Sequence, residues 1–431
     1  MSLPRYPKYK DSKCDWFRTV PTHWDVSRLK LSVSLVTEKT DRRSNPIALE
    51  NIEGWSGKFV PTETEFAGDG VAFGPGDILF GKLRPYLAKA YLADSAGEAV
   101  GDFHVLRPTR TLVPRFLQYL VLSQGFIAMV DGSTFGSKMP RVSWEFLANM
   151  LLAVPPRDEQ SAIVAFLDRE TGKIDTLIAE QEKLLVLLAE KRQATVSHAV
   201  TRGLNPDAPM KDSGVKWLGE VPAHWEVKRL KTVSPFITVG IVVNPSDYVS
   251  EEGLPFIYGG DISEGKISLD TCRRIRPEDS RKQPKTMLEA GDLLTVRVGA
   301  PGVTAVVPET CDGGNCASVM LVRKGSFDST WLCYAMNSRM VRFQVEVVQY
   351  GAAQEQFNIS HAINFWIATP PRSEQADVAT FLKTETSKLD ALREGVERAI
   401  ALLKERRSAL ITAAVTGKID VRNAVPQELA A

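Results

Sequence analysis

Part of this chain occurs twice. Residues 10–30 (KDSKCDWFRTVPTHWDVSRLK) return as residues 211–231 (KDSGVKWLGEVPAHWEVKRLK) at an offset of 201, with Lys, Asp, Ser, Trp, Val, Pro, His, Trp, Val, Arg, Leu and Lys in matching places. Residues 155–201 return as residues 370–416 at an offset of 215, opening on PPR-x-EQ and closing on Ala-Val-Thr both times. A period of about 200 residues is that of a whole domain, far longer than a solenoid unit. The 431 residues are therefore two copies of one domain-plus-helix unit with a short tail. Between the anchors only echoes survive: Gly76-Asp77-Ile78-Leu79 beside Gly291-Asp292-Leu293-Leu294, Tyr119 beside Tyr334, and Phe135-Gly136 beside Tyr350-Gly351. The offset grows by 14 between the anchors, so the second middle segment carries extra residues before Gly291, which surface loops absorb most easily.

Composition adds exclusions. Hydrophobic residues at 44% and charged residues at 24% rule out a collagen, a disordered tail and a disulfide miniprotein. With 53 Lys plus Arg against 52 Asp plus Glu, nothing global marks a polyanion partner. Five cysteines (Cys14, Cys272, Cys311, Cys316, Cys333) without a C-x-x-C pair suit free, mostly buried thiols in a reducing compartment. The N-terminus is polar and proline-broken, and no run approaches the ~18 apolar residues of a membrane span, so a cytoplasmic protein without membrane contact is expected.

The middle segments read as mixed β and α, with short β-rich runs (103–106, 293–298, 317–322) among Gly and Pro turns. One amphipathic helix is expected in each, over 114–130 and 329–345. In the repeated blocks, a short helix over 159–167 precedes a long one over 173–200. Its 3-4 spacing passes Ile174, Leu177, Gln181, Leu184, Leu188, Lys191, Thr195 and His198, and the second copy places Leu389, Leu392, Val396, Ala399, Leu403, Arg406, Leu410 and Ala413 to match. Two such seams invite antiparallel pairing. The fold class is then α+β: two mixed domains in a tandem pseudo-twofold repeat, separated by two long antiparallel helices as a coiled coil. The segments are 1–154 and 217–369 for the domains, 155–201 and 370–418 for the helical regions, 202–216 for the linker and 419–431 for the tail. A helix of ~40 Å, at 1.5 Å per residue, would hold two reading domains about one B-DNA turn apart. A scaffold carrying two protein-binding domains has the same outline.

Constellations for chemistry are missing. GDILFGKL (76–83) begins like a phosphate loop but has Leu83 where Ser or Thr should hold magnesium, and the second copy loses Gly-Lys, so a turn leading into a strand is expected. Pro155-Pro156 and Pro370-Pro371 lack the preceding Asn, Asp or Ser of an adenine methyltransferase motif, and no Gly-rich strand-turn-helix serves a nucleotide. His23 and His224, each beside a Trp, read as packing residues.

Basic loops carry more information. Arg273, Arg274, Arg276, Arg281, Lys282 and Lys285 fall in a proline-containing stretch read as loop. In the first half, Lys82, Arg84 and Lys89 lie near Phe80 and Tyr86, and Lys138 and Arg141 lie in GSTFGSKMPR. Gln354, Gln356 and Asn358 form the matching polar loop of the second half. Such residues supply phosphate contacts or pair with guanine and adenine edges, and equally make an ordinary solvated surface.

The ordered set of VP-x-HW-x-V-x-RLK opening each half, Gly-Asp-Ile/Leu-Leu inside each, GSKMPRVSW before the first Pro-Pro and PPR-x-EQ heading each helix resembles the specificity subunit of type I restriction-modification enzymes. The resemblance covers essentially the whole chain. It implies two target recognition domains that read a two-part asymmetric sequence of double-stranded DNA with a fixed gap. It also implies no catalytic activity or cofactor in this chain. S-adenosylmethionine, ATP and magnesium belong to partners, namely two modification (methyltransferase) subunits and the restriction/translocase subunits. The DNA-contacting residues expected on this basis are Lys82, Arg84, Lys138, Arg141, Arg273, Arg274, Arg281, Lys282, Arg297, Gln354, Gln356 and Asn358. Glu182, Glu190, Arg192, Glu397, Glu405 and Arg407 are expected to face the modification subunits. The end of the second long helix near Thr416 should lie close to the N-terminal segment. A stand-alone DNA-binding regulator and a scaffold without nucleic acid are the competing functions.

Overall fold

The computed structural model describes residues 4–40, 45–63, 69–136, 138–350 and 355–424. Its backbone organisation follows from two uninterrupted helices, Arg157–Arg202 and Arg372–Val415. Pro155-Pro156 ends the strand Leu151–Val154, and the Pro156 carbonyl accepts the first helical bond, from Gln160. Pro371 does the same for Gln375. Each helix stops before a glycine with positive φ, Gly203 at 75° and Gly417 at 70°. At Gly417, Lys418 N reaches back to Ala413 O, the C-terminal motif that suits glycine.

The separate short helix over 159–167 is not found. Gly172 lies inside the continuous helix with open space where a Cβ would be. A mid-helix glycine costs only ~1 kcal/mol relative to alanine, and the buried flanks Phe166, Leu167, Thr171 and Ile174 outweigh it. The amphipathic helices break in the opposite sense. Pro114–Val121 and Gln124–Gly132 are separated at Ser123, and Ser329–Asn337 and Arg339–Val348 at Ser338. Both serines have extended backbone and return their hydroxyl to a carbonyl three residues back, Leu120 at 2.7 Å and Ala335 at 2.6 Å. That local bond competes with helix continuation.

The chain forms two compact units, residues 1–182 with 397–431, and residues 183–396. In the first, an antiparallel sheet runs in the order Val33–Val36, Phe103–Pro108, Ile78–Gly81, Ala90–Leu92. Its core joins Trp24, Phe80, Phe116 and Phe126 to Ile163, Phe166 and Leu167 of the first long helix and Ile411, Ala414 and Val415 of the second. Further along, Asp175 meets Arg407 at 2.8 Å, so the two helices run antiparallel. The chain's distant segments meet as expected: Tyr9 Oη donates to Gly417 O at 3.0 Å and Asp420 N to Pro4 O at 2.8 Å.

The second unit repeats the plan. Its sheet runs Ile237–Val239, Met320–Val322, Leu293–Thr295, Thr304–Val306. Val196, Ala199 and Val200 share a core with Val378, Ala379 and Leu382, and Arg192 lies 3.5 Å from Asp390, again antiparallel. Met210–Asp212, within the stretch read as linker, pairs with Glu220–Pro222 as Tyr9–Asp11 pairs with Thr19–Pro21.

The helix seams are narrower than expected. Ile174, Leu188, Leu389, Val396 and Ile400 are buried, whereas Leu177, Leu184 and Leu392 are exposed. Arg192 and Arg407 do not face solvent as expected: each is largely covered and paired with an aspartate of the opposite helix. Each cysteine is unpaired, and burial pushes the Cys316 and Cys333 thiols up to about 12. Among the described residues, no helix is long and apolar enough to cross a membrane.

The copies diverge in a second, smaller sheet. In the first unit Gly70–Phe73 pairs with the later strand Gly97–Val100, which runs parallel to Pro46–Ile47. In the second, Arg273–Ile275 pairs with the earlier strand Leu254–Ile257, which runs parallel to Asn315–Cys316. The added strand thus joins opposite sides of an otherwise equivalent parallel pair, in the region of the inserted residues. The stretch 273–285 is accordingly not a loop. It holds the strand Arg273–Ile275, anchored by buried Ile275, and the short helix Pro277–Arg281 started by its proline.

Candidate nucleic-acid interface

The repeated motifs hold each domain to its helix. Buried Glu159 of PPR-x-EQ accepts from Trp24 Nε1 at 3.1 Å and Tyr6 Oη, and His23 Nε2 lies 2.8 Å from its other oxygen. Glu374 repeats this with Trp225 Nε1 at 3.0 Å and His224 Nε2 at 2.8 Å. The adjacent Gln160 accepts from Val113 N and donates to Thr111 O and Pro155 O, as Gln375 accepts from Asp328 N and donates to Pro370 O. The histidines are structural, but their carboxylate partner, 136 residues away in the first copy, was not visible in the local sequence.

The Gly-Asp turns lead into strands as expected. Gly76 and Gly291 take φ of 88° and 94°. Asp77 receives both Nε and Nη2 of Arg107, at 2.8 and 2.6 Å. Asp292 receives Arg323 Nη1 at 2.7 Å and the Lys324 and Glu289 amides. The Tyr echo has the same explanation: Tyr119 Oη lies 3.3 Å from Thr171 of the first long helix, and Tyr334 Oη 3.1 Å from Thr386 of the second.

On this scaffold the divergent side chains are displayed. Beyond the strand Ile78–Gly81, Lys82 O accepts from Val142 N at 3.0 Å, Leu83 bridges Arg141, and Arg84 N donates to Pro140 O at 2.8 Å. Arg141 and Phe135 exchange two backbone bonds of 3.1 Å, closing a hairpin with Gly136 at φ 92°. Phe135 and Met139 are 61% and 47% exposed there, and Lys138 is exposed between them. The second unit builds the same junction. Phe357 N donates to Arg297 O, Val298 bridges Gln356, Gly299 N donates to Glu355 O, and Tyr350 and Gln356 exchange two bonds of 2.9 Å. Gln354 lies outside the described residues.

Lys82, Arg84, Lys138 and Arg141 are thus brought together in one place, and Arg297, Gln356 and Asn358 in the equivalent place. Arg141 is held by Asp102, with Nη2–Oδ2 at 2.8 Å and Nε–Oδ1 at 3.2 Å, while Lys82 Nζ stands 3.6 Å from Oδ1. Burial would raise the Asp102 carboxyl, but Arg141 and then Lys82 outweigh it and hold it below the usual carboxylate range. Asp102 was missed from sequence because it contacts Arg141 across 39 residues. Arg297 Nε donates to Phe357 O, and Asn358 precedes the short helix Ile359–Ala362. The Gln356 side chain makes no hydrogen bond to any described residue.

The basic stretch 273–282 belongs to a different sheet and the short helix after it. Among the described residues, no hydrogen bond, ion pair or strand pairing joins Arg273, Arg274, Arg281 or Lys282 to Arg297, Gln356 or Asn358. Arg273 stacks on Tyr258 at 4.1 Å, and Arg276 and Lys282 share Asp279 at 3.1 and 2.8 Å. Arg281 remains exposed.

No family model matches this sequence. The type I restriction enzyme MjaVIII specificity subunit of Methanocaldococcus jannaschii is 23% identical over 424 residues, covering 94% of this chain and 95% of the relative. The EcoBI specificity subunit of Escherichia coli is 23% identical over 311 residues, covering 68% of this chain and 64% of the relative. A chain from a solved structure described as the basis of complex assembly and conformational transition of the type I R-M system superposes with a TM-score of 0.72. Identity there is 21%, with 94% of this chain and 99% of that chain covered. Over nearly its whole length the chain is thus similar to type I restriction enzyme specificity subunits. The two junctions around Arg141 and Gln356 place different side chains on one repeated backbone frame.

Proposed function

We propose that the chain reads a two-part, asymmetric sequence of double-stranded DNA with a fixed gap and directs adenine methylation and restriction by partner subunits. The observation that carries this reading is the duplicated junction. The Glu-Trp-His latch and the Asp-Arg turn recur in both units, while the displayed side chains change from Lys82, Arg84, Lys138 and Arg141 to Arg297, Gln356 and Asn358. A frame that is kept while its presented groups differ suits two domains reading different bases. Arg273, Arg274, Arg281 and Lys282, on a separate element, are assigned to phosphates of the second half-site, together with Gln354 as a flanking contact. The boundaries 1–154 and 217–369 are retained for the two recognition domains.

The chain is proposed to be non-catalytic and cytoplasmic. S-adenosylmethionine would be bound by two modification subunits, and ATP and magnesium by the restriction/translocase subunits. Exposed Leu177, Leu184, Val186, Leu187, Leu392 and Leu402 on the long helices support docking of such partners, because apolar side chains grouped on otherwise charged helices favour burial.

The test is to co-express the chain with its modification subunit and map adenine methylation across the genome. A two-part motif is expected. Absence of new methylation with both proteins soluble and associated would overturn the reading. Tight site-specific binding without a partner would favour a stand-alone regulator, and absence of any salt-sensitive DNA binding would favour a scaffold.

A further inference from the structure

We propose that Asp102 is a positioning residue that aims Arg141 at a guanine in the first half of the recognition sequence, an inference that rests on the DNA-reading function above. Asp102 takes the Nε edge of the guanidinium through both carboxylate oxygens, at 3.2 and 2.8 Å. Nη1 and the outer proton of Nη2 remain, and they form the edge that pairs with two acceptors in one plane. The backbone beneath is fixed from both sides, by the paired bonds with Phe135 and the bridge to Leu83. The Arg141 side chain is nevertheless 37% exposed and the Asp102 side chain 23%, so the free edge is reachable.

The carboxylate also decides what kind of acceptor can approach. A phosphate arriving at Arg141 would find the attraction of the guanidinium weakened by the Asp102 charge already paired with it, whereas an uncharged acceptor pair would not. The major-groove edge of guanine offers N7 and O6, two acceptors without a net charge, and is the usual bidentate partner of arginine. Adenine presents a donor in place of O6 and would set N–H against N–H. Lys82, 3.6 Å from Oδ1, helps keep Asp102 ionised without occupying the outer edge of Arg141. At the equivalent junction Gln356 carries no charge and, among the described residues, has no acidic side chain in hydrogen-bond contact, so the device is assigned to the first half.

The experiment compares methylation motifs of the unaltered complex with those of Asp102→Ala, Asp102→Asn and Arg141→Ala. One guanine position in the first half-site is expected to lose its preference about tenfold in both alanine variants. The other positions and the second half-site should be unchanged, and Asp102→Asn should keep part of the preference through its remaining acceptor. An unchanged motif in Asp102→Ala, or a base other than guanine at the position Arg141 controls, would overturn the inference. So would uniform weakening on all sequences, or complete loss in both Asp102 variants, which would assign Asp102 to the fold. A two-part motif from the unaltered complex keeps the proposed function standing in each of those cases, whereas no motif from it counts against that function itself.

Discussion

Glu159 and Glu374 show how a pair of repeated polar letters becomes structure. Each was legible as part of PPR-x-EQ, but its partners lie far along the chain, and only folding reveals that it satisfies a buried indole N–H. Replacing Glu159 by Ala leaves Trp24 Nε1 without a partner and should cost about 1–3 kcal/mol, measured by denaturant unfolding. Arg141 and Gln356 stand out in the sequence as candidates because they sit in glycine-containing polar loops, whereas Asp102, at a bend, gives no such signal. Gln356→Ala is expected to alter the second half of a methylation motif and leave the first untouched. Behind Arg141, His104 hydrogen-bonds Val142 O at 3.1 Å, and burial holds its pKa below the ordinary value of 6.5. The unfolded chain therefore binds a proton below about pH 6.5 that the folded one resists, so stability falls as pH drops through that value toward the folded pKa. Thermal unfolding across this range should show the loss, and His104→Gln should flatten it.

At the scale of elements, periodicity located both long helices but misjudged their continuity. Gly172 falls in the gap expected between the short and the long helix, yet nothing presses on it and the flanking residues are buried. Gly172→Ala should raise stability by roughly 0.5–1 kcal/mol. Gly417→Ala should lower it, because φ is 70° there and a Cβ would come within 2.4 Å of Pro21. Paired melting curves of the two variants test both statements. The breaks at Ser123 and Ser338 went unread because hydrophobic spacing continues through them, although the serines match between copies. The smaller sheet was beyond reach for a different reason. Which side of a parallel pair receives an extra strand depends on long-range pairing, and local composition carries no trace of it.

For the whole molecule, the tandem duplication was the most informative feature, since it set the number of compact units and the likeness of their frames. Exchange of residues 25–153 with those of a relative is expected to change one half of a methylation motif only, read by genome-wide mapping. The antiparallel helices also make the first unit discontinuous: its core includes Ile411, Ala414, Val415 and Val421, contributed by the last part of the chain. On the ribosome, the domain that emerges first must therefore wait for residues 411–421 before its interior closes. The second unit, made of the contiguous residues 183–396, completes before it. Stalled nascent chains released at residue 400 should accordingly resist protease in the second unit and be cut in the first.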